Sequence, residues 1–214
     1  MLKIILFLSG SLFLTSAFAD LGIYTYSKSG NIFFYSKNEN KVLQLTHSGK
    51  NKHPVLSPDQ RWIVFITRSN YLIPHACAFS LTKTNYADEI RIVDLKTMHK
   101  KILVAVHPDC DHARKVIIDP NDLQFSPDSR TVYFATSAWA TSGAVHAVNM
   151  SGKNVRFVID GNEYRVVQQG KYKGDLIVNQ HRARFKGDTP LGTYDWDWLF
   201  TPKGKQIKLY KKED

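Results

Sequence analysis

The 214-residue sequence predicts an all-β fold built from repeated four-stranded units. Helical periodicity is scarce, whereas short runs of alternating β-branched and aromatic residues recur along the chain. Turn-forming stretches such as SKSG, MSGKN and GKYKG separate these runs. The motif VLSPDQRWIVF at residues 55–65 returns as LQFSPDSRTVYF at residues 123–134. A motif that recurs together with its flanking strands indicates an internal repeat.

Residues 1–19 have the layout of a secretory signal peptide. One lysine precedes an apolar run over residues 4–14, and Ala17 and Ala19 supply the small residues of a cleavage site. The run is short for a membrane-spanning helix, and no later segment approaches the ~18 apolar residues that such a helix needs. We therefore expect cleavage after Ala19, which leaves residues 20–214 as one domain in the periplasm or outside the cell.

The strands group into four units in chain order. IYTYSKSGNIFFYSKNENKVLQLT predicts the last three strands of a unit whose first strand is missing. A complete unit follows around the first Ser-Pro-Asp motif, another around the second, and a degenerate unit runs from YRVVQQG to KQIKLY. The strands are predicted over residues 23–26, 31–36, 41–46, 62–67, 89–94, 101–106, 131–136, 144–149, 154–159, 165–169, 175–180, 195–201 and 206–210, with a short strand before each Ser-Pro-Asp motif. Four units of four strands, the first one short, predict a small or partial β-propeller of about four blades.

Each Ser-Pro-Asp motif is predicted to form a tight corner between the first two strands of a blade. Proline presets φ at the first position of the turn, and aspartate hydrogen-bonds the backbone two residues on. Ser57 and Ser126 lack the G-x-S-x-G pattern and the strand–turn–helix context of a nucleophilic serine. The motif therefore indicates architecture, and no catalytic residue is predicted.

The stretch LTHSGKNKHPVLSPDQRWIVFIT resembles the blade repeat of TolB-type propellers. The same repeat class occurs in the propellers of dipeptidyl-peptidase and prolyl-oligopeptidase relatives. The resemblance is good at residues 45–67, fair at residues 123–159, and weaker over residues 22–46 and 165–210. It implies a TolB-like propeller domain without the separate N-terminal domain of TolB. A closed four-bladed ring and an open propeller that acts within a larger assembly are the two alternatives.

The spacing of the two motifs locates the extra residues of the chain. Ser57 and Ser126 lie 69 positions apart, against a usual blade period of roughly 40–45 residues. The surplus lies in NYLIPHACAFSLTKTNYAD, between the second and third strands of one blade, and in HPDCDHARKVIIDPND, before the next blade. Because consecutive strands alternate in direction, both insertions leave on the same face. Cys77 and Cys110 are the two cysteines of the chain, and we expect them to form a disulfide in an oxidising compartment.

The insertion face carries the residues that we predict to bind a partner, namely His75, His107, Asp109, Asp111 and His112. Trp139, in the neighbouring SAWATSG loop, and Arg182 and Arg184, at alternate positions on one strand face, are assigned to the same partner-binding set. The loop KGDTPLG after Arg184 is assigned to the same surface. Loops on a rigid scaffold commonly carry binding. The leading hypothesis is therefore a non-catalytic protein that mediates protein–protein interaction.

A metal-binding or hydrolytic protein that uses the His/Asp cluster at residues 75–112 is an alternative. Imidazole and carboxylate groups are metal ligands. However, the sequence lacks C-x-x-C or H-E-x-x-H spacing, and a bridged cysteine does not ligate as thiolate. No metal or cofactor is predicted.

Charge narrows the class of partner. Without residues 1–19 the chain has 28 basic and 19 acidic residues, a net charge of +9. A basic surface suggests an acidic partner, although solubility alone explains it equally well. Arginines beside the aromatic residues of YDWDW would also suit single-stranded nucleic acid, which an exported protein rarely meets. We therefore expect a protein or an acidic envelope component as the partner.

Overall fold

The structure, a computed structural model, describes residues 22–74, 77, 86–139 and 142–212. These residues form four antiparallel sheets whose strands follow chain order. Sheet I contains β1 (Ile23–Lys28), β2 (Asn31–Ser36) and β3 (Lys41–Gln44). Sheet II contains β4 (Asn51–Leu56), β5 (Trp62–Leu72), β6 (Tyr86–Asp94) and β7 (Lys100–Val104). Sheet III contains β8 (Asn121–Phe125), β9 (Thr131–Ser137), β10 (Gly143–Asn149) and β11 (Arg156–Gly161). Sheet IV contains β12 (Glu163–Val166), β13 (Leu176–Lys186), β14 (Thr189–Phe200) and β15 (Gln206–Lys211).

The all-β prediction and the unit count are confirmed. The first sheet has three strands and the other three sheets have four, as the sequence pattern predicts. The predicted signal peptide and His75 lie outside the described residues. Within the part of the chain that is described, no helix is long and apolar enough to cross a membrane.

The four sheets are arranged as consecutive blades of a partial propeller. The first strands of neighbouring blades lie side by side, β4 near β8 and β8 near β12, and β1 of blade I also lies near β4. Among the described residues, blades I and IV share no contact of comparable extent. The described strands therefore form a partial propeller of four blades.

The hydrophobic core lies between the blades, and side-chain alternation along the middle strands builds it. On β5, Ile63 and Phe65 pack toward blade I, whereas Val64 and Ile66 pack toward blade III. All four side chains are almost fully buried. Successive residues of a strand point to opposite faces, so a blade between two others needs apolar residues at every position. This requirement explains the unbroken apolar run WIVFI.

Both Ser-Pro-Asp turns form the predicted corner. In the first turn Ser57 Oγ accepts a hydrogen bond from Trp62 N at 2.9 Å, and Asp59 Oδ1 accepts one from Arg61 N at 3.1 Å. The second turn repeats both bonds at the same positions and distances, Thr131 N to Ser126 Oγ and Arg130 N to Asp128 Oδ1. The serine hydroxyls are thus occupied in capping the turns.

Because neighbouring strands run in opposite directions, the connections between them lie on two opposite faces of the blades. The turns between first and second strands and between third and fourth strands lie on one face, which includes both Ser-Pro-Asp corners. We call it the turn face. The other connections lie on the opposite face, which we call the loop face. The two long connections, after β5 and after β7, both belong to the loop face.

Candidate partner-binding face

A disulfide joins the two long connections of the loop face. Cys77 and Cys110 are bonded, with their Cα atoms 5.3 Å apart, within the range of roughly 4.4–6.8 Å that disulfides adopt. Cys77 is buried against Ala87, Val116 and Ile118. The predicted disulfide is therefore present, and it fastens a small apolar cluster under the loops. We call Cys77 and residues 105–120 the disulfide cap.

Backbone pairing gives the cap a defined shape. His107 and Ile117 exchange two backbone hydrogen bonds of 2.8 and 2.7 Å. Asp88 N on β6 donates to the carbonyl oxygen of Ile118 at 2.8 Å. The cap is thus anchored to blade II through the backbone, and the disulfide joins the two segments of the cap. It presents the side chains of His107, Asp111 and His112 to solvent.

The polar residues of the cap are partly paired with one another. His112 Nδ1 lies 2.6 Å from Asp109 Oδ1, and Lys115 Nζ lies 3.9 Å from Asp109 Oδ2. The hydrogen bond with His112, followed by the nearby positive charges, holds the pKa of Asp109 below its ordinary value. Among the described residues, no group of three or more His, Cys, Asp or Glu side chains is placed to hold a metal ion. The arrangement provides a charged surface with donors and acceptors.

Trp139 is linked to the disulfide cap through a residue that the sequence analysis did not single out. Phe157 on β11 lies between them, with the Arg114 guanidinium 5.0 Å from the Phe157 ring centroid. The Trp139 ring meets the same phenyl ring edge-on, with centroids 6.3 Å apart. The cap and the loop after β9 therefore form one continuous patch.

Arg182 and Arg184 belong to a separate element, a long two-stranded hairpin. β12 pairs with β13 only as far as Asn179, and β15 pairs with β14 only from Asp197 onward. Residues 180–196 therefore pair only with each other and extend from the sheet on the loop face, by roughly 20 Å at the usual rise per residue. We call this element the blade IV hairpin.

The predicted KGDTPLG loop is the tip of this hairpin. β13 continues to Lys186 and β14 begins at Thr189, so only Gly187 and Asp188 form the turn. Gly187 has a φ of 60°, which glycine adopts without steric cost. Pro190 lacks a backbone N–H, which a ribbon with free edges tolerates because one edge needs no partner.

Aromatic and cationic groups form a stripe along one side of the blade IV hairpin. The Arg182 guanidinium lies over Trp198 at 3.9 Å from the ring centroid, and Lys212 lies over Trp196 at 5.0 Å. Tyr194 and Trp196 have centroids 4.1 Å apart. Residues two apart on a strand share a side, so the YDWDW pattern could have revealed this stripe.

The opposite side of the hairpin carries the carboxylates. His181 Nδ1 lies 3.0 Å from Asp195 Oδ1, and Asn179 donates to Asp197 at 3.2 Å. Asp197 also lies opposite Lys211 on β15. Asp195 and Asp197 therefore lie against residues of the neighbouring strands.

Two exposed apolar side chains stand near the hairpin tip. Phe185 is 60% exposed and Leu191 is 54% exposed. Neither contributes to the packed clusters between the blades. The sequence analysis named neither residue, and it interpreted residues 186–192, which include Leu191, as a loop.

The turn face also contains a surface that the sequence analysis did not anticipate. A groove of about 680 Å³ runs between blades I and II, with Phe34, Leu43, Arg61, Leu95 and Met98 in its walls. Arg61 already donates to Asp94 on β6 at 2.9 Å. That contact lowers the pKa of Asp94 to about 2, so this ion pair belongs to the scaffold.

The site residues thus form two groups on the loop face. The first group is the disulfide cap with Trp139, and the second is the blade IV hairpin with Arg182 and Arg184. Strand topology places both groups on the same face, while His75 lies outside the described residues.

No family model and no curated protein matches the chain. The solved structures that it resembles are β-propellers. TolB from Acinetobacter baumannii has a TM-score of 0.53 and 13% identity over 90% of this chain and 41% of that chain. Dipeptidyl peptidase 4 from Porphyromonas gingivalis has a TM-score of 0.59 and 10% identity over 90% of this chain and 31% of that chain. The β-propeller domain of the Trilobed protease from Pyrococcus furiosus has a TM-score of 0.51 and 13% identity over 89% of this chain and 53% of that chain.

These similarities define the class as a β-propeller fold. Within that class the fold is TolB-like, as the Ser-Pro-Asp repeats predict. The chain spans about a third to a half of the length of these structures. At 10–13% identity the likeness concerns the fold alone.

Proposed function

We propose that this protein is an exported, non-catalytic binding protein whose loop face binds a protein partner. The observation that carries the proposal is the blade IV hairpin, which projects from the sheet and exposes Phe185 and Leu191 at its tip. Aromatic and arginine side chains dominate the energetics of many protein interfaces. A projecting ribbon with an aromatic and cationic stripe suits such an interface.

Charge supports an acidic partner surface. The hairpin contributes Arg184 and Lys186 near its tip, both of them exposed. Positive charges around an apolar centre increase the association rate with an acidic surface and fix the orientation of the complex. The disulfide cap would provide a second contact through His107, Asp111 and His112.

The fold and the disulfide are compatible with export. Disulfides persist in oxidising compartments such as the periplasm and the extracellular space. TolB is one of the structures with this fold. Peptidases also contain propellers of this fold, so the fold alone does not identify a binding protein. The proposal therefore depends on the candidate binding face and on the experiment that tests it.

The test is capture of partners from envelope extract with immobilised protein comprising residues 20–214. A Phe185→Ser/Leu191→Ser variant removes the exposed apolar tip. An Ile102→Ser/Ile207→Ser variant is the matched control, because Ile102 and Ile207 are also exposed but lie on outer strands. We expect the tip variant to lose one specific partner that the wild type and the control retain. Equal recovery by all three proteins would refute the assignment of the binding surface.

A further inference from the structure

A polar pocket opens on the loop face between blades I and II. Residues 46–50, which connect β3 to β4, form one wall, and residues from all four strands of blade II form the rest. Its volume of about 410 Å³ lies within the range of roughly 300–1,000 Å³ that small-ligand sites occupy. None of the described residues that line it belongs to the disulfide cap or to the blade IV hairpin.

Hydrogen bonds between buried polar side chains fix the walls of this pocket. Asn51 Nδ2 donates to Thr46 Oγ1 at 3.0 Å, and Thr67 Oγ1 donates to Asn51 Oδ1 at 2.8 Å. Asn51 N also donates to the carbonyl oxygen of Gly30 at 2.8 Å, which joins blade I to blade II. A fully paired network of buried polar groups holds one arrangement. The pocket is therefore already formed without a ligand.

A buried carboxylate positions an arginine in the wall of the pocket. Arg91 Nε donates to Glu89 Oε1 at 2.7 Å, and the side chain of Glu89 is 9% exposed whereas that of Arg91 is 43% exposed. Within the part of the chain that is described, the terminal Nη groups of Arg91 have no protein partner. These groups form a planar fork of donors that matches the two oxygen atoms of a carboxylate. Glu89 therefore orients a carboxylate-binding group.

Positive charge exceeds negative charge around the pocket. Its lining contains four lysine or arginine residues and one acidic residue, Glu89. Lys50 Nζ donates to the uncharged amide oxygen of Asn70 at 3.1 Å, and Lys100 forms no ion pair with any described residue. A cleft that carries a surplus of one charge attracts ions of the opposite charge. The pocket therefore favours an anion.

Uncharged hydrogen-bonding groups surround the cations. Ser48 Oγ accepts a hydrogen bond from Asn51 Nδ2 at 2.8 Å, so its own hydrogen is available to a ligand. Asn70 Oδ1 accepts from Lys50, which leaves the amide NH₂ group of Asn70 available as a donor. A simple inorganic anion needs the positive charges alone, whereas these groups suit a ligand that also carries hydroxyls. The lining therefore combines the groups that would recognise a carboxylate with groups that would recognise hydroxyls.

From this arrangement we infer that the pocket between blades I and II binds a small hydroxylated carboxylate of the uronic acid class. Arg91 binds the carboxylate through its two Nη groups, and Lys50 and Lys100 increase the attraction for the anion. Ser48 and Asn70 contact the ligand hydroxyls. The lining residues are separate from those of the proposed protein-binding surface, so the inference is independent of the proposed function.

The test is titration of the protein with glucuronate, followed by NMR of the backbone amides. We expect saturable shifts at Ser48, Lys50 and Asn70, with little change in the blade IV hairpin. Glucose is the matched control ligand, because it has the same ring but no carboxylate, and it should bind at least about tenfold more weakly. Inorganic phosphate tests whether charge alone suffices, and it should also bind more weakly than glucuronate.

Variants of the cations separate the fork of donors from the charge. Arg91→Lys keeps a positive charge beside the buried Glu89 but loses the planar fork, and it should weaken glucuronate binding about tenfold. Arg130→Lys, at an exposed position on the turn face, is the matched control and should bind as the wild type does. Lys100→Gln removes an exposed charge and should weaken binding about threefold.

One further variant separates this inference from the proposed function. Phe185→Ser/Leu191→Ser, which should lose the protein partner, should bind glucuronate with wild-type affinity. Weakened glucuronate binding in this variant would mean that the ligand contacts the blade IV hairpin and would overturn the assignment to the pocket.

Three other results would also overturn the inference. One is an absence of saturable shifts with glucuronate, and another is unchanged glucuronate affinity in Arg91→Lys. The third is binding of glucose or inorganic phosphate as tight as that of glucuronate. Glucose would then show that the carboxylate is not recognised, and phosphate would show that the pocket recognises charge alone.

Discussion

The guanidinium of Arg182 lies over the indole of Trp198, with its central carbon 3.9 Å from the ring centroid. Arg182 also donates to Gln180 and, at 2.8 Å, to Gln206 on β15. The side chain thus joins the base of the blade IV hairpin to the outer strand of the same blade. This contact orients the hairpin relative to the sheet.

Arg182→Lys should loosen the base of the blade IV hairpin. Lysine has no planar group to stack on Trp198 and cannot donate to both glutamines in the same way. We expect a loss of about 1 kcal/mol in the free energy of unfolding and a smaller near-ultraviolet circular dichroism signal from tryptophan. Arg184→Lys, near the exposed tip, is the control and should change neither quantity. An unchanged tryptophan signal in Arg182→Lys would argue against this orienting role.

Removal of the disulfide should destabilise the loop face. The bridge closes a separation of 33 residues, for which the chain-entropy model gives about 4 kcal/mol. A Cys77→Ser/Cys110→Ser variant should show a loss of that order in urea unfolding. Intact-mass measurement of the wild type should show a gain of two hydrogens on reduction. Two free thiols in the exported protein would contradict the bridge.

Ser126→Ala should destabilise the second Ser-Pro-Asp corner. The hydroxyl accepts from Thr131 N at 2.9 Å and donates to Asp128 at 2.6 Å, and the residue is buried. Loss of these bonds should cost about 1–2 kcal/mol in thermal unfolding. Ser27→Ala, at an exposed strand position, should cost much less. Comparable losses of stability in the two variants would show that the hydroxyl at the corner stabilises the fold no more than an exposed serine does.

The stability of the protein should fall on acidification because of His146. Burial lowers the pKa of His146 to about 4, whereas the unfolded chain keeps the ordinary value of about 6.5. Between these values the unfolded state binds a proton that the folded state excludes. The free energy of unfolding therefore decreases as pH falls through this window, by up to about 3 kcal/mol.

His146→Phe should reduce this pH dependence. The measurement is the difference in melting temperature between about pH 7 and about pH 4.5, which should be smaller in the variant than in the wild type. The absolute stability also changes, because His146 Nε2 lies 3.0 Å from Thr136 Oγ1, so only the pH dependence is compared. His99→Gln, at an exposed position, should retain the full dependence. Equal slopes in wild type and His146→Phe would contradict the assignment.

Local chemistry explains which parts of the fold were predictable from sequence. The Ser-Pro-Asp corners use bonds within a few residues, so their recurrence marked the blades. The distance from Ser57 to Ser126 then located the two insertions and the disulfide between them. Each of these inferences depends on spacing and strand direction, which the sequence records directly.

The sequence was less informative where tertiary context determined the outcome. Gly187, Pro190 and Gly192 are strand breakers by composition, yet a two-stranded ribbon with free edges accommodates them. The contact of Arg114 with Phe157 joins residues 43 positions apart in different elements. No short-range pattern encodes these features.

The most direct test of the proposed binding face is site-specific photo-cross-linking in the envelope. A benzophenone amino acid is placed at Leu191 on the hairpin tip, at Trp139 beside the disulfide cap, and at Val155 on the turn face as an exposed apolar control. The account predicts one common protein adduct from Leu191 and Trp139, and none from Val155. Adducts from Val155 alone, or the same adducts from all three positions, would contradict it.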